Sequence, residues 1–282
     1  NELIILDRGN FRLVRYNLTT NKMVASIETG RQPFGLAISP DQKTVLVANV
    51  GMYAYPLVEG TTKENIQSQY INWHPYGNNT KESINGTVID GKKIPGLGDP
   101  NADESMSVYV IDLVNNKVKS KLKTGLKLGE LVEDAEVIGG ASPNSIVINN
   151  QFAYVTNATN DNIAVIDYKK GKIVSHIPIK VDNKIDKYRG LLPFGIDISK
   201  DNKYLFVALL GFNAVAKIEI ATKKTIGLIP TGWGTTRVKL SKDNQNLYIT
   251  SCRGFGAGPN GGKGYKMTVQ GSYIGDIQLG TF

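Results

Sequence analysis

The stretch PFGIDISKDNKYLFVALLGFNAVAKIEIATKKTIGLIPTG, residues 193–232, decides the fold. Its runs FGIDI, YLFVAL, AVAKIEI and TIGLIP alternate apolar with polar residues, and only SKDNK, LGFN and ATKK separate them. Alternation with a period of two puts one set of side chains on each face of an extended strand, and links this short join antiparallel neighbours. Residues 193–232 therefore predict a four-stranded antiparallel unit with strands A, B, C and D in chain order.

Both halves of the unit recur. The A–B half returns as PFGLAISPDQKTVLVAN at 33–49, PNSIVINNQFAYVTN at 143–157 and TTRVKLSKDNQNLYITS at 235–251. The C–D half returns as NFRLVRYNLTTNKMVASIETG at 10–30, SVYVIDLVNNKVKSKLKTG at 107–125 and NIAVIDYKKGKIVSHIPI at 162–179. Pro143 to Pro193 is 50 residues, and Pro193 to Thr235 is 42. Four-stranded units repeating every 40–50 residues or so are what propeller blades require. The expected fold class is all-β, a β-propeller of four-stranded antiparallel blades. Strand A should lie nearest the central channel, with alternate Val, Ile and Leu of strands B and C filling the space between blades. An open sandwich explains short strands but not the same order recurring with Pro before strand A. Residues 2–30 supply B, C and D; 33–125, 143–179 and 193–231 are complete blades; 235–251 supply A and B. The expectation is that 1–282 is a single β-propeller domain or a large fragment of one, with three complete and two partial blades, seven-bladed in the complete protein.

Composition removes several function classes. The net charge is +8, but lysines such as Lys22, Lys117, Lys172 and Lys223 are scattered through short turns. Nucleic-acid binding needs a concentrated patch or stripe, so no nucleic-acid partner is expected. No apolar run reaches 18 residues, so no transmembrane helix is predicted, and no signal-peptide pattern is visible at Asn1. Cys252 is the single cysteine, which excludes an intrachain disulfide framework and every CxxC site.

The blade topology sends A–B and C–D turns to one face and B–C and D–A links to the other. The long segments 51–106, 126–142, 180–192 and 252–279 are all B–C or D–A links, so all project from one rim. Insertions on one face of a repeat protein often build its binding surface. Within 51–106, YINWHPYGN gathers Tyr70, Trp73, His74 and Tyr76, which either cover the channel mouth, stack on a ligand or pack down onto the propeller. IPGLGDPNADES at 94–105 brings Asp99, Asp103 and Glu104 together as candidate oxygen ligands for a divalent cation such as calcium, although the spacing is not that of a twelve-residue calcium loop. No other cofactor is predicted. The 126–142 link carries Glu130, Glu133, Asp134 and Glu136, which either pair with Arg189 or form a pocket for a cation or basic ligand. Arg253 opens RGFGAGPNGGKG, which lacks the GxxxxGK[ST] order of a nucleotide loop.

Catalytic patterns are missing. Only His74 and His176 are available, with no GxSxG turn, no HExxH and no histidine pair beside an acid. No residue is singled out as catalytic, and the residues favour binding over catalysis by this chain alone.

YVTN at 154–157, its variants VLVAN at 45–49 and LYITS at 247–251, and AVIDYKKGKIV at 164–174 resemble the YVTN-type family of seven-bladed propellers. NVGMYAY at 49–55, GGASPNSIV at 139–147 and YIGDIQLGT near the end resemble a bacterial subgroup whose propeller can precede an alkaline-phosphatase-like phosphoesterase domain. The resemblance implies export to the periplasm, cell surface or exterior, peripheral association with an envelope complex, and a binding or assembly role. It supplies no catalytic residues. The expected function is an exported scaffold binding a protein partner or a glycan through the loop-rich rim. The alternative is a metal-dependent enzyme, or an accessory domain of a phosphoesterase, with a site at the channel mouth.

Overall fold

The computed structural model describes residues 1–254 and Thr281, except Tyr70, Trp73, Tyr76 and Asn78. The first sheet is β1 (Glu2–Asp7), β2 (Arg12–Asn17) and β3 (Lys22–Glu28). The second begins with β4 (Pro33–Ile38) and β5 (Thr44–Asn49); an excursion follows, holding α1 (Lys81–Asn85) and the hairpin β6 (Gly86–Ile89) and β7 (Lys92–Pro95). The sheet resumes with β8 (Ser107–Asp112) and β9 (Lys117–Lys123), giving the order β4-β5-β8-β9. A small hairpin, β10 (Leu131–Val132) and β11 (Ala135–Glu136), leads to the third sheet, β12 (Pro143–Ile148), β13 (Ala153–Asn157), β14 (Asn162–Asp167) and β15 (Lys172–Pro178). The fourth is β16 (Pro193–Ile198), β17 (Tyr204–Leu209), β18 (Ala214–Glu219) and β19 (Lys224–Pro230). Among the described residues the fifth has β20 (Thr235–Leu240) and β21 (Leu247–Ser251). Every pairing within these sheets is antiparallel, and the series of blades does not close into a ring among the described residues.

Period-two alternation explains how the blades stack. On β5, Val45 and Val47 face the first sheet and join Leu13, Ile27, Tyr109 and Ile111. Leu46 and Ala48 point the other way and join Ala153, Val155, Ala164 and Ile166 of the third sheet. The third and fourth sheets meet through Tyr154, Ile163, Val165, Leu205, Val207 and Ile218. In the three four-stranded sheets strands B and C thus feed two apolar layers, and each fully buried aliphatic side chain contributes about 1.5–3 kcal/mol. The outer strands β9, β15 and β19 alternate exposed and half-buried residues, and His176 lies exposed on β15.

Strands β4, β12, β16 and β20 lie side by side at the axis. Gly35 and Gly195 permit this approach, because a Cβ at Gly35 would sit 1.9 Å from the Asn144 carbonyl oxygen and one at Gly195 2.7 Å from the Arg237 Cα. The A–B turns share one chemistry. Ser39, Ser199 and Ser241 each donate a hydroxyl to the aspartate two residues on and accept an N–H at the start of strand B, from Thr44, Tyr204 and Asn246, the last just before β21. In the third sheet Asn149 replaces that pair and caps Gln151 and Phe152 alone.

The opposite face has its own repeated geometry. The two residues after each strand B donate to carbonyls of the two residues before strand A: 50 and 51 to 32 and 31, 158 and 159 to 142 and 141, 210 and 211 to 192 and 191, 252 and 253 to 234 and 233. This backbone collar brings each of these four B–C links beside a D–A link. The residue before strand A is left-handed each time (Gln32, Ser142, Leu192, Gly234), as is the one before strand C in the first four sheets (Phe11, Met106, Asp161, Asn213).

Candidate functional site

All the long described links leave this collar on one face, and two of them frame a cleft there. The cleft has a volume of about 680 Å³, within the usual range for ligand sites. One wall is the 126–142 link and the other the 180–192 link, with Thr159, Asn160 and Asp161 as the floor. The floor residues anchor both walls. Asn160 accepts from the Leu126 N–H at 2.9 Å and donates to the Gly140 carbonyl at 3.2 Å, closing the base of the first link. The Asp161 carboxylate, buried, accepts the N–H groups of Gly190 at 2.7 Å and Leu192 at 3.0 Å, fixing the end of the second.

The first wall is acidic, with Glu130, Glu133, Asp134 and Glu136 against Lys127; the second is basic, with Lys180, Lys184, Lys187 and Arg189 against Asp182 and Asp186. Glu133 and Asp134 form the two-residue turn between β10 and β11, both left-handed, the geometry of a type I′ hairpin. That turn carries Glu133 across the mouth, where its Oε1 meets Arg189 Nη2 at 2.7 Å. Both side chains are about half exposed, so this clasp contributes only about 0–1 kcal/mol. Glu130 instead accepts the Lys127 N–H. Beside the charges, Leu131 is 73% and Ile138 79% exposed.

The acids of 94–105 have other partners. Arg31, only 6% exposed, donates to the carbonyls of Met52 and Asp99 and pairs with Glu104 at 2.8 Å. Lys123 Nζ donates to the carbonyls of Pro100 at 2.8 Å and Ser105 at 2.9 Å. This oxygen-rich segment therefore does bind cations, but they are the chain's own arginine and lysine. The Asp99 carboxylate caps Asn101, Asp103 is exposed, and among the described residues no three His, Cys, Asp or Glu side chains gather as a metal-ligating group. Arg31 and Lys123 escape sequence reasoning because their partners are backbone carbonyls many residues away. Asn160 and Asp161 read simply as turn residues.

Burial and the neighbouring Arg31 push the Lys123 amine down to about 8 from its ordinary 10.5. Between those values the unfolded chain binds more protons at this site than the folded one, so its contribution to stability rises with pH. Denaturation at pH 7.5 and about 9.5 is expected to show wild type gaining on Lys123→Met. A constant difference between the two contradicts this environment for Lys123.

His74 Nε2 donates to the Glu82 carbonyl of α1, at 2.6 Å. Tyr70, Trp73 and Tyr76, and the 252–279 link from residue 255 on, lie outside the described residues. Arg253 is exposed beside Trp233, whose carbonyl accepts its N–H. The structure thus brings Glu133 and Arg189 together at the cleft, with Glu130 and Asp134 on the same hairpin; Asp99 and Glu104 lie at the Arg31 anchor. No helix among the described residues is long and apolar enough to cross a membrane.

No protein-family profile and no curated protein matches the chain. Among solved structures it is similar to Kuenenia stuttgartiensis hydrazine synthase, with a TM-score of 0.54 and 18% identity. The match covers 88% of this chain and 52% of that one, so the chain spans about half its length. At that identity the likeness is one of fold alone. Together with the order of its own sheets, it makes this chain a β-propeller.

Proposed function

We propose that the chain is an exported scaffold that binds a protein or cell-surface ligand through its loop-rich face. A propeller fold supports a binding or scaffolding role in general, and function is read from the site built on it. The observation that carries the proposal is the cleft between the 126–142 and 180–192 links, where exposed Ile138 sits between walls that carry Glu133 and Glu136 on one side and Lys180, Lys187 and Arg189 on the other. Apolar anchors beside polar groups of both signs suit a partner that buries one residue and matches charges around it. The YVTN-type motifs support placing the chain with that family, in the periplasm or at the cell surface, and the same resemblance supports an attached phosphoesterase-type domain as a neighbour.

The test is to screen the chain against arrayed envelope glycans and envelope-protein peptides, then measure each binder against variants. Ile138→Asp and Arg189→Glu are each expected to weaken binding, Ile138→Asp at least about tenfold, as loss of a central anchor does. Lys223→Glu, on the opposite face, should leave it unchanged. Binding insensitive to both cleft substitutions would place the ligand elsewhere and overturn the reading.

A further inference from the structure

The axial end of the loop-rich face carries a second group of side chains, separate from the cleft. Phe34 and Phe194 are the second residues of β4 and β16, and their rings meet edge to face at 5.8 Å. Arg8, in the link between β1 and β2, lies over Phe34 at 5.9 Å and donates to Gln32 Oε1 at 3.0 Å. Arg237 of β20 lies over Phe194 at 5.8 Å and donates to Ser145 Oγ at 2.9 Å. Arg8, Phe34, Phe194 and Arg237 therefore form one continuous strip, drawn from four different sheets.

The charge of this strip is unbalanced. Arg12, Arg15, Arg31 and Arg189 each pair with a carboxylate; among the described residues Arg8 and Arg237 pair with none. Both are exposed, and each shows a side-chain hydrogen bond to one neutral oxygen, leaving most of a guanidinium's five N–H donors available. The axial strands β4, β12, β16 and β20 hold one acid, Asp197, and Lys239 and the Leu240 N–H occupy it. No carboxylate of the axial strands is thus left to satisfy the two arginines.

We propose that this strip is an anion-binding site for an oxyanion carried on a flat apolar body. The guanidinium fork matches carboxylate and phosphate oxygens alike. A ring beneath it and one hydrogen bond beside it restrict each fork before the ligand arrives, which lowers the ordering cost of binding. Phe34, 37% exposed, offers the apolar surface that a bare ion would not use. The inference does not rest on the cleft, and either can fail without the other.

Benzoate and phenyl phosphate are the probes, with inorganic phosphate and benzyl alcohol as controls, titrated into the full chain by NMR. Saturable binding of benzoate or phenyl phosphate is expected, and whichever binds tighter identifies the carboxylate or phosphate source. Inorganic phosphate should bind at least about tenfold more weakly, and benzyl alcohol not measurably. Arg8→Gln and Arg237→Gln should each weaken the better probe at least about fivefold. Arg8 is the safer variant because its side-chain partner Gln32 is not buried, whereas Arg237 holds buried Ser145. If neither probe binds saturably, if folded Arg8→Gln binds as wild type does, or if inorganic phosphate binds equally well, the proposal fails.

Discussion

Gly35→Ala is expected to lower the unfolding free energy by about 3 kcal/mol or more, the upper end of what overpacking costs. The added Cβ would lie 1.9 Å from the Asn144 carbonyl oxygen and 3.0 Å from its carbon, so backbone rather than a yielding side chain must move. Asn144 has little room to retreat. It is buried, its Nδ2 donates to the carbonyls of Ser142 and Pro193, and β16 packs on the far side of β12. Gly195→Ala should be damaging for the same reason, with its nearest contact at 2.7 Å. Gly227 on outer strand β19 is the control: nothing lies within 4 Å of its notional Cβ, and Gly227→Ala should stay within about 0.5 kcal/mol of wild type. Urea denaturation of the three variants checks this, and equal stability of Gly35→Ala and Gly227→Ala would refute close approach at the axis.

Arg31→Ala should cost a similar amount, about 3 kcal/mol, but the loss should be confined to one region. Removing one partner of a buried, hydrogen-bonded charge leaves its acceptors without a donor. Here those acceptors, Met52, Asp99 and Glu104, all belong to the 51–106 excursion. Glu104 is partly exposed and recovers water, which keeps the cost below that of a fully buried pair. The expected result is faster proteolysis and hydrogen exchange within 51–106, while amides of β13, β14 and β17 keep their protection. Arg31→Lys should fall between, since an ammonium lacks the planar fork that serves three acceptors in two segments. Unchanged protection of the excursion would show that other contacts hold it down.

The blades were legible because their information is local. VLVAN and AYVTN announce strands through alternation, and SPDQK and SKDNK announce turns through side chains that bond two residues away. The three complete and two partial blades seen among the described residues follow from that alone. The anchors were not legible, because an Arg31 or Lys123 bonded to distant carbonyls has no local pattern. Asp99, Asp103 and Glu104 are near one another in sequence but take different surroundings: Glu104 pairs with Arg31, Asp99 accepts from the Asn101 N–H, and Asp103 is exposed. The axial strip mixes both cases: PFG is visible as a repeat, but nothing local says that Phe34 and Phe194 touch.

The collar makes loop length and blade geometry separate variables. Residues 158–161 and 210–213 cross from strand B to strand C in four residues, and the excursion crosses the same gap in more than fifty. Its two ends nevertheless meet, since Met106 donates to the Gly51 carbonyl at 3.0 Å. The excursion is thus a detachable module on a fixed socket. Exchanging it for a link such as ATND should leave the strands on either side in register, and the same socket should accept foreign segments whose ends lie equally close.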